Sequence, residues 1–129
     1  MKTLILQSFT VMAILLMVYG HPTPEKERLR RQIHERAQKL NHTTLPRITV
    51  PHRHPGQELC VKEFFCLAEK SLNYTLNKIS NNEIHKDLEI LKRAVHQYNN
   101  KTNHISCQLN MKQECLLQRL VIDILNCSK

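Results

Sequence analysis

Glycine is nearly missing from this chain: there are two in 129 residues, and one of them is Gly20. A phosphate-cradling loop needs several, so P-loop and dinucleotide-binding readings are excluded. Aromatic residues make up only 5%. Few are left to stack on bases and no nucleic-acid motif is present, so nucleic acid is not an expected partner. After residue 20 no stretch is apolar enough to span a bilayer, and no membrane insertion is expected. No cysteine precedes Cys60, and acidic residues are the minority, 11 against 19 Lys and Arg.

What is present begins with an export signal. Lys2 precedes a mostly apolar run, Leu4–Val18, of about fifteen residues, which is short for a membrane span. Val18-Tyr19-Gly20 offers acceptable residues at the −3 and −1 positions of a cleavage site. Residues 1–20 therefore read as a secretory signal peptide, and 21–129 as one secreted, extracellular domain with a modest core. Removing Lys2 from the basic residues leaves that domain a net charge of about +7. Outside a cell this favours acidic partners, heparan sulfate among them. The sequons at Asn41, Asn73 and Asn100 predict a glycoprotein; Asn126, followed by Cys127, is a weaker fourth.

Apolar residues at helical spacing define four segments. Thr23 caps the first and Pro24 opens it. It runs to about Leu40, with Leu29, Ile33, Ala37 and Leu40 in a stripe and Arg28, Arg31, Glu35 and Lys39 away from it. The second, Glu58–Ile79, steps through Val61, Phe65, Ala68, Leu72, Leu76 and Ile79. The third, Glu83 to about Tyr98, carries Ile84, Leu88, Leu91 and Val95. Asn110 caps the fourth, with Gln113 in the capping-box position and Leu117, Leu120, Val121 and Ile124 on one face as far as about Asn126. The connections 41–57 and 99–109 are long and 80–82 is short. That order predicts an all-α, up-up-down-down four-helix bundle. Arg47–Val50 and, more weakly, His104–Gln108 suit strands in the two crossovers, where they can pair antiparallel.

No catalytic constellation emerges, and no enzyme activity, cofactor or metal is expected. His52 and His54 sit in a Pro-flanked basic stretch without the four ligands of a structural zinc site, and read as a solvated loop. The five cysteines of an exported chain point instead to disulfides. If 58–79 is a regular helix, Cys60 and Cys66 differ by about 240° and about 9 Å and cannot bond each other. Cys107 is a natural partner for one of them. Cys115 projects about 160° from Leu117 on a helix, away from the core, and is either covered by a loop or the odd thiol. An exposed odd thiol permits a linked dimer; a monomer is expected.

Phe65-Cys66-x-Ala68 with Leu72 after it, Leu91-Lys92-Arg93, Ser106-Cys107 and Cys127-Ser128 resemble interleukin-4 in order and approximate spacing, over roughly half the chain. The resemblance implies a short-chain four-helix cytokine of the interleukin-4/interleukin-13 type, a non-mammalian member given the divergence. It implies a Cys66–Cys107 bond between the second helix and the second crossover. It implies binding of type I cytokine receptor chains: an interleukin-4 receptor alpha-like chain against the first and third helices, and a common gamma or interleukin-13 receptor-like chain against the first and fourth. Signalling then passes through Janus kinases and STAT proteins to type 2 immune responses. Lys92 and Arg93 match basic contacts of the family's third helix, and His96 stands where the family has an arginine. Glu27 and Glu35 are both candidates for the acidic contact of the first helix, beside Arg31. Arg119 and Ile122 stand for the contact of the fourth. The family's bond between chain ends has no match here, which leaves Cys127 to pair elsewhere, with Cys60, or to stay free. An interleukin-2/15/21-like cytokine is the near alternative, favoured by a crossover bond to Cys60. A heparin-binding or membrane-active basic protein is the alternative of another class, raised by Ile122 and Leu125 beyond the stripe of the fourth helix.

Overall fold

A computed structural model describes residues 24–52, 58–80, 82–102 and 106–129. The expected signal peptide, the Thr23 cap, His54 and the start of the expected second strand lie outside them. The described residues form a small helical bundle of four helices with one two-stranded antiparallel sheet. In chain order these are α1 (Pro24–Asn41), β1 (Thr49–Pro51), α2 (Phe64–Leu76), α3 (Asn82–Lys101), β2 (Glu114–Leu116) and α4 (Leu117–Cys127).

Pro24 opens α1, where its missing N–H is not needed, and Glu25 and Glu27 in the first turn with Lys39 in the last complement the helix dipole. Leu29, Ile33, Ala37 and Leu40 are all buried. On α3 the buried stripe is Leu88, Leu91, Ala94 and Val95. Fully burying one such Leu or Ile stabilises by about 1.5–3 kcal/mol. α1 and α2 each pack against both α3 and α4. Two ion pairs join α1 to α3, Glu25–Lys101 at 3.6 Å and Lys39–Asp87 at 3.5 Å.

The second helix starts at Phe64 rather than Glu58. Val61 lies before it and is 39% exposed. Its buried stripe is Phe64, Ala68, Ser71, Leu72 and Thr75, so Phe64 takes the core place expected of Phe65. Phe65 is half-buried and packs on Tyr98 of α3, with ring centroids 4.9 Å apart. The cause is local. Phe64 N–H donates to Val61 O at 3.0 Å, closing a turn, and Cys60 is tied to the end of α4. The chain before Phe64 is turn rather than helix, so the helical rotation expected between Cys60 and Cys66 does not apply.

The ribbon between the crossovers forms, but from different residues. Thr49–Pro51 pairs with Glu114–Leu116, Val50 lying opposite Cys115. Ser106–Gln108 is irregular, and the residues expected to open the fourth helix are strand. Asn110 heads a turn instead of capping that helix: its Oδ1 accepts from Lys112 N–H at 3.0 Å, and its carbonyl accepts from Gln113 N–H at 3.1 Å. Pairing wins over helix because it buries Val50 completely and satisfies backbone groups beyond the strands. His52 N–H donates to Gln113 O and Leu117 N–H to Ile48 O, both at 3.0 Å. α3 also runs on to Lys101, so Asn99 and Asn100 are helical rather than part of the crossover.

Candidate functional site

A polar cluster links α2 and α3. Asn99 Nδ2 donates to Phe65 O at 3.0 Å and to Glu69 Oε1 at 2.9 Å. His96 Nδ1 lies 3.1 Å from Glu69 Oε2, and Asn100 Nδ2 lies 3.2 Å from His96 Nε2. An amide can donate only to an unprotonated Nε2, so the neutral tautomer carries its proton on Nδ1, toward Glu69. A 470 Å³ cavity opens beside this cluster, lined also by Cys60, Cys66, Cys107 and Cys127. His96 thus faces α2. Lys92, one turn earlier, shares that side of α3. Arg93 is exposed and pairs with Glu89 at 2.9 Å.

On α1, Glu27, Arg31 and Glu35 are all exposed. The Glu25–Lys101 and Lys39–Asp87 pairs set one register, each step forward on α1 matching a step back on α3. Glu35 is therefore level with Leu91, and Arg93 stands half a turn away. The expected contacts of α3 divide: Lys92 and His96 belong to the α2 side, while Arg93 faces outward. On α4, Arg119 is exposed and Ile122 half-buried. His34 of α1 reaches the end of α4, its Nδ1 3.2 Å from Leu125 O and 3.1 Å from Ser128 Oγ, where a last-turn carbonyl has no intrahelical donor.

His52 is buried, not solvated. Its Nε2 lies 2.6 Å from Asp123 Oδ2 of α4, and its ring meets Phe64 edge-on at 6.2 Å. Arg119 Nε reaches the other Asp123 oxygen at 3.7 Å. This pair locks the end of β1 to α4.

Cys66 bonds Cys107 and Cys60 bonds Cys127, with Cα atoms 6.1 Å and 5.5 Å apart. Cys115 is free. It packs partly against the core rather than away from it, because it sits in a strand. Burial, helped by the Asp123 carboxylate and opposed by Arg119, pushes its thiol up to about 11. The neutral thiol therefore dominates at pH 7 and reacts slowly. Iodoacetamide alkylation of the folded protein is expected to accelerate only as pH climbs toward 11, while in guanidinium chloride it follows an ordinary thiol near 8.5. Matching pH profiles in the two states would rule this environment out. Among the described residues no group of three or more His, Cys, Asp or Glu could hold a metal ion, and no helix is long and apolar enough to cross a membrane.

No family model, curated protein or solved structure matches this chain. Sequence reasoning missed Glu69 as the partner of His96 and Asn99, since nothing in the order of residues brings position 69 to 96 and 99. It also missed His52–Asp123. A signal was available there: His52 follows Val50 at strand spacing, and Asp123 is the one acidic residue of α4.

Proposed function

We propose that this protein is a secreted short-chain four-helix cytokine of the interleukin-4/interleukin-13 type, with up-up-down-down connections. On this reading it acts by binding type I cytokine receptor chains, and its signal passes through Janus kinases and STAT proteins to type 2 immune responses. The observation that carries the reading is the packing order: α1 and α2 each pack against both α3 and α4. A bundle whose parallel pairs lie on the diagonals has that order. The ion pairs between opposite ends of α1 and α3 support it, as does the contact of Asn99, late in α3, with Phe65, early in α2. The disulfides favour this branch over an interleukin-2/15/21-like one, since the crossover cysteine Cys107 bonds Cys66 and not Cys60.

The receptor surface then centres on α1. Glu35 and Arg93 stand on one side of it for the first chain, with Glu27 and Arg31 toward α4, where Arg119 and Ile122 serve the second. Reversing the charge at Glu35 and Arg93 together is expected to weaken receptor binding at least tenfold with helicity retained, and reversing Lys92 to leave it within about twofold. Surface plasmon resonance on captured receptor chains checks this; an unchanged affinity for the double variant removes that surface. The function itself is tested by treating leukocytes with refolded, oxidised protein and measuring STAT phosphorylation. Silence across receptor-bearing cells that answer a control cytokine would refute it.

A further inference from the structure

Four sequons occur in the chain, and the fold does not treat them alike. Asn41 is half-buried at the end of α1, and Asn126 precedes the bonded Cys127. Asn73 on α2 and Asn100 on α3 are both exposed. Each of these two lies one helical turn, about 6 Å, beyond a member of the same contact: Asn73 beyond Glu69, Asn100 beyond His96. Since Phe65 and Glu69 meet Asn99 and His96, moving forward on α2 means moving back on α3. The two asparagines therefore bracket the Glu69–His96 contact, one on either side along the bundle, and Asn73 stands level with Lys92.

We infer that Asn73 and Asn100 are glycosylated together, and that their carbohydrate closes the α2/α3 face to protein partners. This rests on the export proposed above. In the transfer, the amide nitrogen bonds to the anomeric carbon of an oligosaccharide carried on a lipid pyrophosphate. The carbon–oxygen bond to the pyrophosphate breaks, the lipid pyrophosphate leaves, and one amide proton is lost to base. One N–H remains, so Asn100 can still donate to His96 Nε2. Thr75 is buried and its Oγ1 donates to Ser71 O at 2.8 Å, while Thr102 Oγ1 donates to Tyr98 O at 3.1 Å. Both sequon hydroxyls are thus occupied by the helix, and transfer precedes folding. The finished fold tolerates the sugars because both acceptor asparagines face solvent. Covered on that side are Glu69, His96 and Lys92; the α1 side of α3 stays open.

The full chain expressed in mammalian cells provides the test. Glycopeptide mass spectrometry of the secreted protein is expected to find carbohydrate on both Asn73 and Asn100. An acetylating reagent is then expected to modify Lys92 several-fold faster in an Asn73→Gln/Asn100→Gln variant of unchanged helicity, with Lys26 on α1 unaffected. Secreted protein bare at either asparagine, or equal Lys92 rates in the two proteins, overturns the inference alone. Retention of the chain inside the cell overturns export and the inference together.

Discussion

Replacing Cys60 and Cys127 together by serine is expected to lower the melting temperature by roughly 15 °C or more. The two residues are 67 apart in sequence. A loop of that length, closed in the unfolded chain, stabilises the fold by about 4 kcal/mol in the chain-entropy account. The Cys66–Cys107 bond lies inside it and spans 41 residues. In a chain that keeps this inner bond, the shorter path runs from Cys60 to Cys66 and from Cys107 to Cys127, roughly 26 residues, and the contribution falls to about 3.5 kcal/mol. For a domain of this size each kcal/mol moves the midpoint by about 4–8 °C. Changing both partners avoids a new free thiol beside Cys115. Calorimetry decides the matter, and a drop below about 5 °C would mean that packing, not the cross-link, holds the end of α4.

The second large effect separates two adjacent residues. Phe64→Ala is expected to cost about 3–5 kcal/mol, because Phe64 is 2% exposed in the main core and meets both His52 and Phe65 edge-on. Phe65→Ala should cost about 1–2 kcal/mol, since that ring is half-buried and its main loss is the Tyr98 contact. Urea unfolding of the two variants ranks them. The reverse order would place Phe65 in the core and start the helix earlier than Phe64.

These two residues also mark how far the sequence could be read. The long stripes of α1 and α3 were legible because their buried residues recur at helical spacing without interruption, from Leu29 to Leu40 and from Leu88 to Val95. α2 was legible as a helix but not in phase. Val61 and Phe65 fit the same spacing as Phe64 and Ala68, and the turn closed on Val61 with the bond from Cys60 to α4 selects between them. The ribbon was legible as a pairing of crossovers, yet its second strand was misplaced. Glu114–Leu116 has an ordinary helical composition, and its strand form depends on Val50, far away in sequence. Arg31 and Glu35, exposed on α1, were visible as charges off the apolar stripe, while Glu27 and Arg93 were singled out only by the resemblance. The turning of Lys92 and His96 toward α2 was not, because it depends on Glu69. A buried pair such as His52–Asp123 leaves only a polar residue among apolar ones as its trace.

α4 is the shortest helix of the bundle, 11 residues, a length at which an isolated helix frays from both ends. Here neither end is loose. Leu117 is held to Ile48 at the edge of the ribbon, and Cys127 is bonded to Cys60. The loss of backbone freedom therefore falls at folding and oxidation, long before any partner arrives. On the proposed receptor reading, a partner that docks on Arg119 and Ile122 meets a plate already set in place. Little further ordering entropy opposes its binding, and its residence time is governed by the contacts alone.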